Sequence, residues 1–302
     1  MTDDNGLRAK LEELKEQRNA VLLVHNYQIP EVQDLADLMG DSLGLSQEAA
    51  KTDAEVIVFC GVHFMAQTAK IICPEKTVLM PDPTAGCPMA DMITAEQLRE
   101  FRSQHPGAPV VAYVNTTAEV KAESDICCTS ANSVRVVESL DDEKILFVPD
   151  KYLGTWTASQ VDRELILYGG YCPIHADITT EMVRAVQAQH PDATFICHPE
   201  CRPEITALAE AVLSTGGMAR FARETEASEV IVGTEEGIVY RLQTDNPGKR
   251  FYPIQGAICE DMKKTTAEKV VRCLERMEHE IVVPPEIAAR AREPIERMLA
   301  LG

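Results

Sequence analysis

The stretch VLLVHNYQ, residues 21–28, is a short apolar run that ends in an imidazole, an amide and a phenol. Its length suits a strand and not a helix. Two later stretches repeat the design: VVAYVN at 110–115 and ATFICHPE at 193–200. His25, Tyr113 and His198 stand 88 and 85 residues apart, and a hydroxyl residue follows each of them 17 positions on: Ser42 in GDSLG, Ser130 in TSANS and Thr215 in STGGM. A second apolar run comes next in each third, EVIVFCG (55–61), KILFVPD (144–150) and EVIVGTE (229–235), and then a third, TVLMPD (77–82), ELILYGG (164–170) and RFYPIQG (250–256). Each third run leads to a cysteine, Cys87, Cys172 and Cys259, spaced by 85 and 87, with a helix start soon after near Thr94, Thr179 and Thr265.

One unit therefore occurs three times: strand, helix, hydroxyl at a helix start, strand, helix, strand, cysteine loop, helix. Strands alternating with helical segments predict parallel βαβ units with helices on both faces of each sheet. The expected fold class is α/β, with three pseudo-repeated three-layer α/β/α sandwich units packed around a pseudo-threefold axis. The expected divisions are an N-terminal helix over 1–20, α/β units over 21–106 and 107–191, and a third unit with the C-terminal helices over 192–302. Any α/β chain has a loose rhythm of strands and helices. Here strand ends, hydroxyls and cysteines all keep the same phase.

The chain has 302 residues, 45% of them hydrophobic and 25% charged, enough for a large core without covalent staples. Its net charge of −19 argues against a nucleic-acid partner, which needs a basic face to displace counterions. The first twenty residues are charged and amphipathic, unlike a leader peptide, and the apolar runs are too short to span a bilayer. The expectation is a cytoplasmic protein with neither membrane nor nucleic-acid contacts. Its ten cysteines are then core residues, metal ligands or nucleophiles and rarely disulfides.

In open parallel sheets, ligands collect beyond the carboxyl ends of the strands, where every repeated marker lies. If the three units face one axis, their loops meet in one cavity. Ser42, Ser130 and Thr215 read as N-cap residues, whose helix starts would offer free N–H groups to carboxylates or phosphate. A single Ser or Thr of this kind usually does no more than start a helix. The matched spacing is what raises the set.

Cys87 in PDPTAGCPMADM, Cys172 in GGYCPIHADIT and Cys259 in QGAICEDMKKTT form no CxxC pair with one another. Three thiolates from equivalent loops, with no evident fourth, suggest an iron–sulfur cluster with one open iron, acting as a Lewis acid. Without the repeat, buried core cysteine is the commoner explanation. A zinc-dependent aldolase or hydrolase would use the same residue types and is the rival. Cys60 and Cys197 end apolar strands, Cys73 ends a helix, Cys273 lies on the last helices, and Cys127 and Cys128 read as helical. The Cys197–Cys201 spacing invites a metal, but its HPE insert is better explained as the third polar strand end.

His25, Asn26 and Tyr27, then Tyr113 and Asn115, then His198 and Glu200 close the three first strands, and His175 follows Cys172 by three. These are acid–base types whose pKa a buried site can tune. A lone strand-end histidine is commonly structural, but the shared phase favours a site here. His63, His105, His190 and His279 read as structural or exposed. Lys263 and Lys264 are the cations nearest Cys259, with assistance to that cysteine and simple solvation both open.

At this point HNYQIPEVQDLADLMGDS, GVHFMAQTAK, PDPTAGCPMADM, YVNTTAEVKAESDICCTSAN, FVPDKYLG, CPIHADI, CHPE, LSTGGM, VGTEEGIVYRL and CEDMKKTT, spread over about residues 21–266, resemble the quinolinate synthase (quinolinate synthetase A) family. The resemblance implies three α/β sandwich domains in one polypeptide and a transferase of NAD, or pyridine nucleotide, biosynthesis. The implied reaction condenses iminoaspartate with dihydroxyacetone phosphate to quinolinate, phosphate and water. It implies that Cys87, Cys172 and Cys259 hold a 4Fe-4S cluster. His25, Ser42, Tyr113, Asn115, Ser130, His198, Glu200 and Thr215 fall at substrate-binding positions, with Tyr27 and His175 lining the same site. Glu200 with His198 beside it is the candidate base, and Tyr27 and His25 the proton shuttles. A functional link to the enzyme that supplies iminoaspartate is implied too. Some relatives carry extra cysteines near the third ligand; Glu260 and Asp261 stand there in this chain, so Cys259 is the single candidate.

Overall fold

The computed structural model describes residues 4–301. The N-terminal helix runs Asp4–Arg18; residues 1–3 of the expected 1–20 helix, and residue 302 of the last expected unit, lie outside the described residues. Twelve strands follow in three sets. The first holds β1 (Ala20–His25), β2 (Leu38–Gly40), β3 (Val56–Cys60) and β4 (Thr77–Leu79). The second holds β5 (Val110–Tyr113), β6 (Ile126–Cys128), β7 (Lys144–Val148) and β8 (Glu164–Leu167). The third holds β9 (Thr194–Cys197), β10 (Ala211–Val212), β11 (Glu229–Gly233) and β12 (Arg250–Pro253). Each set forms a four-stranded sheet, in the orders β2-β1-β3-β4, β6-β5-β7-β8 and β10-β9-β11-β12, and every pair is parallel. The α/β class with three like units is thus what the chain adopts.

The strand composition follows from burial on both faces. In β1, Leu22 and Val24 face a cluster with Leu11 and Leu14 of the first helix and Val270, Val271 and Leu274 of helix Ala267–Arg276. Leu23 faces the opposite way, into the main core with Ile57, Phe59 and residues of helix His63–Ile72. In β9 and β11 the same alternation sends Phe195, Cys197 and Ile231 to one cluster and Ile196, Val230 and Val232 to the main core. A strand covered on both sides has no polar face to alternate, which is why these segments read as unbroken apolar runs.

Some local readings change. Each unit has a fourth strand, β2, β6 or β10, between the first strand and the hydroxyl loop. Cys127 and Cys128 lie in β6, pairing with Ala112 and Tyr113 of β5, and not in a helix. The third helix start after a cysteine loop is capped by Thr266, one residue past Thr265. Ser42 and Thr215 are not caps. Asp41 caps helix Ser42–Lys51 through Gly44 N–H, and Ser214 caps helix Thr215–Glu224 through Gly217 N–H. Ser130 stands two residues before the Asn132 N-cap of helix Ser133–Glu138. The hydroxyls sit at or just before the first helical residue and are not spent on capping.

The last helices strap the units together. Ala267–Arg276 packs on the N-terminal helix and β3, and Pro285–Ala300 packs on β6 and on helices Ala118–Lys121 and His63–Ile72. Arg292 donates to Ile72 O at 3.1 Å and Arg297 to Asp125 O at 2.7 Å. Among the described residues no helix is long and apolar enough to cross a membrane.

Candidate active site

In each sheet the chain runs outward from the first strand to its neighbour and then crosses to the other side, so the strand order reverses between β1 and β3, β5 and β7, and β9 and β11. Loops diverge there and leave a crevice beyond the strand ends. The three crevices open into one cavity, part of it open to solvent. His25, Tyr27, Ser42, Cys87, Tyr113, Asn115, Ser130, Cys172, His175, His198, Glu200, Thr215 and Cys259 all line it. Every site residue that the family resemblance implies is therefore brought to one place, while Asn26 lies behind the wall. The other seven cysteines are buried away from it.

The strand ends repeat in detail. His25 Nδ1 accepts the N–H of Tyr27 at 3.2 Å, and His198 Nδ1 accepts that of Glu200 at 3.3 Å. A ring nitrogen that accepts carries no proton, so in the neutral rings the proton is on Nε2. His198 Nε2 lies 3.1 Å from Ser130 Oγ. Both imidazoles are kept neutral: burial, followed for His25 by the neighbouring His198 and Lys263, lowers each to about 3, with only partial opposition from Glu200.

Glu200 is buried with His175 Nδ1 at 2.8 Å from one oxygen and the Tyr113 hydroxyl donating to the other at 2.5 Å. Burial pulls its carboxyl up, but His175 and His198, with the hydrogen bonds from His175 and Tyr113, outweigh it and hold it below the usual carboxylate range. His175 Nε2 meets Thr234 Oγ1 at 2.7 Å, and Thr234 Oγ1 meets the Tyr27 hydroxyl at 2.5 Å. A hydrogen-bonded chain thus runs Tyr27–Thr234–His175–Glu200–Tyr113 across the three units. Burial and then Glu200 push both phenols well above the ordinary tyrosine value. Asn115 Oδ1, on the cavity wall, is buried without a partner.

Opposite, the helix starts of Ser42 and Thr215 are neighbours. Ser214 Oγ donates to Asp41 Oδ2 at 3.3 Å, and Asn26 Nδ2 donates to Thr215 Oγ1 at 2.8 Å. A Cβ on Gly216 would stand 2.5 Å from Asp41 Oδ2, so the two helix starts approach this closely only over a glycine.

The three site thiols are raised by burial, Cys87 to about 12. Backbone amides oppose that rise: those of Ala90 and Met89 at Cys87, His175 at Cys172, and Met262 and Asp261 at Cys259. Cys259 adds to the rise at Cys87, and Cys87 adds to that at Cys172. Three thiols on the wall of one cavity, each with backbone amides turned toward its sulfur, suit a shared cationic centre, which would draw off their protons. The donor set fits a three-cysteine metal or iron–sulfur group. Cys172, His175 and Glu200 also hold ligand atoms within 4.8 Å of one another.

Residues not singled out from sequence support the site, and of these Glu235 lines the cavity. Thr234 forms the central link of the chain just described. Glu235, buried, accepts the N–H of Cys259 at 3.1 Å. Asp150, wholly buried, caps helix Lys151–Ala158 with one oxygen and leaves the other unpartnered. Val62, Asp150 and Glu235 follow the second strand of each unit at intervals of 88 and 85, the same spacing as His25, Tyr113 and His198. That phase was the available signal.

The family model described as quinolinate synthetase A protein matches residues 9–300. A quinolinate synthase of Dehalococcoides mccartyi (strain CBDB1) is 56% identical over 291 residues, covering 96% of each chain. One of Desulforudis audaxviator (strain MP104C) is 54% identical over 303 residues and the whole of both chains. One of Pelobacter propionicus (strain DSM 2379 / NBRC 103807 / OttBd1) is 52% identical over 300 residues, covering 99% of each.

Proposed function

The chain belongs to the quinolinate synthetase A family, a family of enzymes, and we propose that it condenses iminoaspartate with dihydroxyacetone phosphate to give quinolinate, phosphate and two waters. The atoms balance without an oxidant or a reductant. The observation that carries this reading is the single cavity in which three thiols face neutral imidazoles, an ionised carboxylate and two helix-start hydroxyls that cap no helix.

Cys87, Cys172 and Cys259 would hold a 4Fe-4S cluster. When bound, such a group supplies a Lewis-acidic iron with an open position, able to assist loss of hydroxide. The remaining work falls to the chain. Ser42 and Thr215, at the first residues of ten-residue helices, present hydroxyls and free amides to phosphate or carboxylate. His25 and His198 donate from Nε2, with Ser130 orienting His198. Asn115 offers an unpaired acceptor to an amine or hydroxyl of the substrate.

Glu200 is the base. It is ionised and acceptor-only, and it can take a proton directly or through His175. Tyr27 does not ionise by itself. It releases a proton to the cavity only if Thr234 and His175 move one the same way behind it. Iminoaspartate hydrolyses readily as an imine, so a functional link to the enzyme that makes it follows from the chemistry.

A second reading has one observation in its favour: the Cys172–His175–Glu200 group is a plausible seat for a single zinc, as in a zinc-dependent aldolase or hydrolase. Incubation of the anaerobic protein with both substrates separates the two. Quinolinate and phosphate formed in equal amounts are expected, and dihydroxyacetone phosphate consumed without quinolinate would favour the zinc enzyme.

A further inference from the structure

The segment Cys259–Lys264 carries the third site cysteine and bonds to the loops that hold Tyr27, Thr84–Cys87 and Glu235. Lys263 Nζ lies 2.7 Å from Glu235 Oε1 and donates to Tyr27 O at 2.7 Å. Glu235, 1% exposed, uses the same oxygen to accept Cys259 N–H at 3.1 Å and its other oxygen to accept Gly237 N–H at 2.8 Å. The packing leaves no room for a side chain at residue 237: a Cβ there would be 2.6 Å from Lys263 Nζ, 2.7 Å from Tyr27 O and 2.9 Å from Glu235 Oε2. Two residues earlier, Asp261 Oδ1 accepts Gly86 N–H at 3.0 Å, the amide just before Cys87. Lys264 pairs with Asp261 at 2.7 Å and donates to Thr84 O at 2.7 Å. Lys269 ties the far end, to Lys264 O at 2.7 Å and to Asp82 at 2.6 Å.

We propose that this segment is a brace that presets the cluster ligands, with Lys263 and Asp261 as positioning residues: Lys263 fixes Cys259 against Glu235 and the Tyr27 backbone, and Asp261 fixes the Cys259 loop against the Cys87 loop. The proposal rests on the three cysteines being cluster ligands. Its physical basis is preorganisation. A rigid cluster demands set distances between its thiolates, and loops that were free would have to be ordered at the moment of binding. Neither lysine is merely a solvated charge. The Lys263 side chain is 19% exposed and both of its partners are inside the protein. Lys264, 38% exposed, holds the Thr84 carbonyl and Asp261 from the rim.

The test compares wild type with Lys263→Met, Asp261→Ala and Asp261→Asn, all anaerobically reconstituted with iron and sulfide. Three quantities are read: iron and sulfide per chain, the rate at which excess chelator bleaches the cluster absorbance, and the melting temperature of the cluster-free protein. Lys263→Met and Asp261→Ala are expected to lose the cluster about 10- to 100-fold faster than wild type, the usual cost of removing a partner behind a metal ligand. Asp261→Asn, whose amide oxygen still accepts Gly86 N–H, should stay within about threefold of wild type. If Lys263→Met does not fold, the two Asp261 variants decide. Wild-type bleaching rates in Asp261→Ala would overturn the brace alone, while a wild-type protein that binds no iron and sulfide would overturn the brace and the cluster reading together.

Discussion

Glu200 and His175 meet at 2.8 Å, carboxylate oxygen to Nδ1, with side chains only 4% and 3% exposed. The two come from different units, and a buried carboxylate without such a partner would be neutral. The pair keeps the carboxylate ionised for the role of base proposed for it. Glu200→Gln is expected to retain the cluster and the fold but to lower kcat by about 10²- to 10⁴-fold, the range for loss of a general base. Steady-state kinetics with iron analysis on the same sample checks this. An unchanged kcat removes Glu200 from the chemistry.

Thr234 is the one side chain that joins Tyr27 to His175 in the chain of hydrogen bonds. Thr234→Val keeps the shape and deletes the link. A fall in kcat of about 10- to 100-fold with little change in KM is expected, and Thr234→Ser should restore most of it. A valine variant with wild-type kcat would show that Tyr27 works without the relay.

The histidines set a pH limit on stability. Unfolded, His25 and His198 take up protons near 6.5; folded, they resist until about 3. Between those values the unfolded state binds more protons, so stability is full above about 6.5 and declines as pH falls, by about 1.4 kcal/mol per pH unit for each histidine. Glu200, held below the ordinary carboxylate range, adds a loss of the same sign below about 4.5. Melting of the cluster-free protein from pH 7.5 down to 4.5 should show a steady drop, shallower in His198→Gln. A flat profile would mean that these rings are not held neutral in the fold.

Packing makes a further demand at the second sheet. A Cβ on Gly154 would lie 2.5 Å from Leu167 Cδ2 and 3.0 Å from the Phe147 ring. Gly154→Ala should cost about 1–3 kcal/mol by overpacking, read from chemical denaturation, with no change in KM for the fraction that remains folded. A neutral or stabilising alanine would mean that the helix Lys151–Ala158 does not sit against β7 and β8 as described.

What was legible in the sequence was whatever burial or repetition wrote twice. β1, β5 and β9 were readable because both faces are covered and their residues are apolar without a break. β2, β6 and β10, two or three residues long, are too short for any period to show, and Cys127 and Cys128 were misplaced with them. Ser42 and Thr215 fell one residue inside the helix because Asp41 and Ser214, equally good caps, stand directly before them. All the site residues taken from the repeat lie on the cavity wall. Asp150 and Glu235 keep the same phase, but Val62 in the first unit breaks the chemical likeness that would have drawn attention to them. Nothing local in Pro285–Ala300 says which sheet it covers; only its arginines, reaching Ile72 and Asp125 across the unit boundaries, reveal it.

Cys87, Cys172 and Cys259 are proposed to hold a catalytic 4Fe-4S cluster together. The most direct measurement is iron, sulfide and zinc per chain in anaerobically purified protein, taken beside Cys172→Ala. About four irons and four sulfides per chain are expected in the wild type, with both lost, along with quinolinate formation, in the variant. One zinc per chain without sulfide, or a Cys172→Ala protein that keeps its iron and its activity, would mean that these three cysteines hold no catalytic cluster.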